Sequence, residues 1–149
     1  MKCALLVLLC VLTGCATSPS SRDIMAARVS ALVDRTTIQG EQQVAFAQLE
    51  ALGLPVVPYL VGRLGDMRSL PEHEISLANT SPGAFEGLRH YSPETVHDAL
   101  AAILNQLTGQ DFVAVYNGAS VRERQANAAQ WQAWCVKTFP EKAAACDGR

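Results

Sequence analysis

Apolar residues recur at three- and four-residue spacing along most of the chain, the period of helices with one buried face. Ile24, Met25, Val29, Leu32 and Val33 share such a face, Ser20-x-x-Asp23 offers a start signal, and Gly40 breaks the pattern after Thr36. Glu41 to Leu52 repeats it with Val44, Phe46, Ala47, Leu49 and Leu52, and Gly53 supplies the stop. Pro55 and Pro58 both fit a first helical turn. The residues that follow to about Gly65 are apolar on nearly all sides, which predicts a buried helix. Ser92-Pro93-Glu94 reads as an N-cap, an initiating proline and an acid at the positive end of a helix dipole. Val96, Leu100, Ile103, Leu104 and Leu107 form the stripe of that helix, and Thr108-Gly109 closes it. Ser120-Val121-Arg122-Glu123 is a capping box for a last long helix to about Thr138, ended by Pro140.

The stretch from Asp66 to Tyr91 fits no helix. Ile75 to Asn79 alternates like a short strand, and Pro82 to Leu88 has room for a helical turn. A loop of this length inside a compact domain points to function. The expected fold class is all-α: a small antiparallel helical array with one long irregular loop over residues 66–92, in a single domain over residues 23–149.

The N-terminus follows a different logic. Met1-Lys2 is a short positive start, and Cys3 to Leu12 is an unbroken apolar run. That run is far short of the ~20 residues a spanning helix needs, but it suits the core of a secretory signal peptide. It ends in Leu12-Thr13-Gly14-Cys15, which resembles the lipobox of bacterial lipoproteins. The resemblance implies that residues 1–14 are a signal peptide and that Cys15 receives lipid; the small polar residues and Pro19 after it make residues 15–22 a flexible tether. It also implies membrane attachment through Cys15. With Ala16 rather than Asp after the cysteine, it favours the outer membrane, facing the periplasm. Two or three acyl chains hold a protein at a membrane far longer than one, at about 0.8 kcal/mol per buried methylene.

Export changes the reading of the cysteines. Of five, Cys3 and Cys10 belong to the signal segment and Cys15 carries lipid, which leaves Cys135 and Cys146. In an oxidising compartment two such thiols pair, and the closed loop would stabilise the fold by somewhat under ~3 kcal/mol. Charged residues are only 17% of the chain and apolar residues 49%, which excludes a disordered chain or a coiled coil. The formal charge of −2 leaves no basic surplus for phosphates, so nucleic acid is not an expected partner.

Residues 41–65, with Leu54-Pro55-x-x-Pro58 opening the second helix, resemble one unit of HEAT-like repeats. Leu107 to Phe112, followed by Trp131-x-x-Trp134, is similar to the closing segment of uncharacterised bacterial HEAT-like proteins. No second copy recurs at a fixed period. The resemblance implies protein binding rather than chemistry.

Candidate site residues follow from the irregular loop. Phe85, Arg89, His90 and Tyr91 combine an aromatic, a guanidinium and an imidazole outside regular structure, and are the expected partner-contact surface. Glu72, His73, Glu74 and His90 could hold a metal for hydrolysis if the loop folded back on itself, but zincin spacing is absent and no metal or other cofactor is expected. His97 reads as a partly buried helix histidine, and Trp131 and Trp134 as core. The leading expectation is a lipid-anchored, non-enzymatic interaction module with an envelope protein as partner. Its alternatives are a periplasmic immunity or inhibitor lipoprotein and a metal-dependent hydrolase.

Overall fold

A computed structural model describes residues 21–80, 82–112 and 118–148. The Leu12–Cys15 motif and most of the tether lie outside the described residues. In chain order the elements are α1 (Ser21–Arg35), α2 (Gln42–Ala51), a 3-10 turn (Leu54–Val56), α3 (Val57–Val61), β1 (Ile75–Ala78), β2 (Leu88–Tyr91), α4 (Val96–Thr108), α5 (Val121–Thr138), a second 3-10 turn (Pro140–Lys142) and α6 (Ala143–Cys146).

The all-α, HEAT-like expectation does not hold. Ile75–Ala78 and Leu88–Tyr91 form a two-stranded antiparallel sheet, pairing Ile75 with Tyr91 and Ala78 with Leu88. Pro82 to Leu88 contains no helical turn: two turn residues lead through a bend into β2. Between α2 and the following helical segment the chain bends by 103°.

The hairpin survives as a short element because a helix covers its edge. The Gln42 amide donates to the Glu72 carbonyl at 2.6 Å and accepts from the Glu72 N–H at 3.0 Å. The Gln43 amide does the same with Ser76, at 2.7 and 2.9 Å. The Glu50 carboxylate accepts the Ala78 N–H at 3.1 Å. Side chains of α2 thus stand in for a third strand and satisfy edge groups that would otherwise be unpaired.

α4 is the central helix: Val96, Ala99, Leu100, Ala102, Ile103 and Leu104 are fully buried. The helix begins at Val96 rather than at Pro93, because its N-cap is Thr95. The reason lies elsewhere in the chain. The Val96 and His97 N–H groups donate to the Arg68 and Asp66 carbonyls at 3.0 and 2.9 Å. Thr95 and Asp98 form a reciprocal capping box. The segment after α3 therefore satisfies the first-turn donors of α4 that a helix leaves open.

All five α3 residues are buried, as their unbroken apolar pattern predicts, and α3 packs against α1, α4, α5 and α6. Cys135 and Cys146 form a disulfide across 5.9 Å between Cα atoms, tying α6 to α5. Phe112, Trp131, Trp134 and Phe139 make a chain of edge-to-face ring contacts, which places both tryptophans in packing.

Candidate functional site

The two-residue period of β2 divides the residues grouped in sequence as a contact surface. Tyr91 is buried beneath the hairpin, and Arg89 lies over its ring at 5.7 Å from the centroid. His90 faces the other side, with Nδ1 2.9 Å from Ser76 Oγ. Phe85, at the hairpin tip, is fully exposed. Arg89 and Tyr91 therefore belong to one site, whereas His90 and Phe85 flank it.

That site opens between the hairpin and the C-terminal end of α4, as a pocket of about 280 Å³ lined by Thr80, Pro82, Arg89, Asn105, Gln106 and Gly109. Gln106 organises it. Oriented to satisfy its neighbours, its amide oxygen accepts from Tyr91 Oη at 2.5 Å and Arg89 Nη1 at 2.8 Å, and its NH2 donates to the Ala78 carbonyl at 3.3 Å. The Thr80 hydroxyl donates to the Gln106 main-chain carbonyl at 3.2 Å. Among the described residues no lining side chain is a carboxylate, imidazole or thiol. The arrangement of amide, hydroxyl and guanidinium groups can hold and orient a ligand. Thr80, Asn105 and Gln106 escape sequence reading, although adjacent Asn105 and Gln106 follow the apolar run from Ala99 to Leu104 and are a local signal of a polar site there.

The far edge of β2 adjoins this pocket. Because Gln43 occupies the main-chain groups of Ser76, the Ser76–His90 pair is a non-hydrogen-bonded one. His90 and, two residues earlier, Leu88 therefore turn their N–H and C=O groups away from β1. Among the described residues no group bonds to them there. Leu88 is half exposed.

The Glu72, His73, Glu74 and His90 group does not converge. The Glu72 main chain is tied to Gln42 and its carboxylate accepts from Gly40, whereas His90 bonds Ser76 on β1. Among the described residues no three His, Cys, Asp or Glu side chains gather to hold a metal ion.

A second polar centre lies inside the protein. Asp98 accepts from Arg124 Nε and Nη2, both at 2.8 Å, and from the Thr95 and Glu94 N–H groups at 3.1 and 3.2 Å. Arg124 also reaches Glu94 at 3.0 Å. Beside them His97 is buried, with Nδ1 donating to the Leu64 carbonyl at 2.6 Å. Burial depresses the His97 imidazole below its ordinary range; the Leu64 hydrogen bond and the Asp98 charge oppose the shift, and the Arg124 charge adds to it.

His97 is therefore neutral in the folded protein at pH 7, while in the unfolded chain it takes a proton near pH 6.5. Between about pH 6.5 and the lower folded-state value the unfolded chain binds the extra proton, so stability falls as pH falls through that window. Denaturant unfolding at pH 7 and pH 5.5 is expected to show this loss, and His97→Gln to shrink it. An unchanged pH slope in the variant would refute the assignment.

No protein-family model, no curated protein and no solved structure matches the chain.

Proposed function

We propose that this chain is a lipid-anchored protein of the bacterial envelope, facing the periplasm, that works by binding a protein partner at its β-hairpin. The observation that carries the reading is the open edge of β2, with Phe85 and Leu88 exposed beside it. An unpaired strand edge with apolar neighbours is a ready template for another chain. The positive start, apolar run and Leu12-Thr13-Gly14-Cys15 ending support the anchor. The Cys135–Cys146 disulfide suits an oxidising compartment.

Two measurements test the two halves of the proposal. Labelled palmitate is expected on the full chain and is expected to vanish in Cys15→Ser; label that persists in the variant, or never appears, removes the anchor. A photo-crosslinking amino acid at position 85 is expected to capture an envelope protein that the same group at Val121, an equally apolar exposed position at the start of α5, does not. Identical capture at both positions removes the hairpin as the contact surface.

A further inference from the structure

We propose that the Arg89 pocket receives the free C-terminal carboxylate of an extended peptide whose main chain adds to the open edge of β2. The proposal rests on the interaction-module reading and names the chemistry of the partner at the same hairpin.

Charge is the first argument. Arg35, Arg63, Arg68 and Arg124 each pair with an acidic side chain. Among the described residues Arg89, like Arg28 and Arg122, has no acidic partner; what sets it apart is its place at the pocket, where neutral groups, the Tyr91 ring and the Gln106 amide oxygen, hold it. A guanidinium fixed this way keeps its full charge and retains donors for a planar, two-oxygen partner. The carbonyls at this end of α4 already accept internal bonds: Leu104 from the Thr108 hydroxyl, Asn105 from the Gly109 N–H and Gln106 from the Thr80 hydroxyl. Among the described residues Arg89 is the one charged group lining the pocket.

Geometry is the second argument. A pocket of about 280 Å³ suits one terminal residue better than a large cofactor. Arg89 lines it while also lying on β2, between Leu88 and His90, whose main-chain groups face the open edge. A chain that pairs with those groups runs alongside the pocket, and its terminus has a cation to meet. Strand addition supplies main-chain affinity, and the carboxylate sets where the peptide ends.

The test uses the full-length chain in mild detergent and a fluorescein-labelled hexapeptide pool randomised at its last three positions, made as the free acid and as the C-terminal amide. Anisotropy titration is expected to show the amide binding at least tenfold more weakly. Arg89→Gln is expected to bring the free acid down to the amide's level, and Arg89→Lys, which keeps the charge without the fork, to fall between. Arg89 is exposed, and an unchanged unfolding midpoint will show that these variants fold. Free-acid peptides N-methylated at alternate amides are expected to lose most of their affinity. Equal binding of acid and amide, or indifference to Arg89→Gln, would overturn the carboxylate site. Full affinity of the N-methylated pool, with acetate competing as well as the peptide, would overturn the peptide in favour of a small acid. Concentration-dependent dimers with no peptide bound would overturn it in favour of a second copy of this chain. Palmitate labelling is read separately, so the anchor and the peptide site stand or fall independently.

Discussion

Asp98→Ala is expected to lower the unfolding free energy by about 3–5 kcal/mol, the largest loss of any single substitution considered for this protein. Asp98 is fully buried and accepts from four donors: two on Arg124 and the main-chain N–H groups of Glu94 and Thr95. Its loss leaves the guanidinium, itself largely buried, with only the half-exposed Glu94 as a partner. It also removes half of the capping box that starts α4. Together these unpair a buried charge and free first-turn donors, and each has a named cost. Urea unfolding measures the sum. Replacing both partners, Asp98→Ala with Arg124→Met, is expected to recover part of the loss, because the penalty comes mainly from the orphaned guanidinium and not from the missing attraction. A loss under about 1 kcal/mol in the single variant would mean that water reaches Arg124 and that the pair is a surface contact in energetic terms.

The same cluster shows how far local sequence could be read. The Ser120–Glu123 capping box was legible because both of its interactions close within three residues, and α5 runs from Val121 to Thr138 as the pattern predicts. The α4 start was misplaced for the opposite reason. Pro93 and Glu94 carry local start signals, but the Arg68 and Asp66 carbonyls, almost thirty residues upstream, are what satisfy the first-turn donors and set the boundary at Val96.

The sheet was half visible. Ile75 to Asn79 alternates, yet so short a run gives too little period to outweigh a helical background. What makes that strand stable is Gln42, Gln43 and Glu50 on a helix some thirty positions earlier, a contact no local pattern encodes. The candidate site was legible in Arg89 and Tyr91. His90 and Phe85 shared their neighbourhood in sequence, but strand alternation put His90 on the opposite face. Asn105 and Gln106 reach the pocket only because α4 ends beneath the hairpin.

Loss of the Cys135–Cys146 disulfide, by reductant or by Cys135→Ala with Cys146→Ala, is expected to cost about 2–3 kcal/mol. The loop spans 11 residues, so in the chain-entropy view the constraint on the unfolded chain is modest. In the folded protein both cysteines are fully buried, and the bridge ties α6 to α5 where α6 packs on α3. The seat for α6 is Gly62. A Cβ at that position would collide with the Ala145 carbonyl oxygen and stand 2.8 Å from the Gly148 nitrogen, so backbone passes where a side chain would be. Gly148 meets the same surface with a φ of 73°, which glycine adopts without strain. Gly62→Ala is therefore expected to lift the C-terminal turn and cost about 1–3 kcal/mol through overpacking. Because bridge and seat act on one segment, the two losses are expected to add to less than their sum when combined. Unfolding midpoints of the four proteins, with and without reductant, decide the matter. A midpoint unmoved by reductant would mean that packing around α6 suffices without the bridge, and strict additivity would mean that Gly62 and the disulfide hold different parts of the chain.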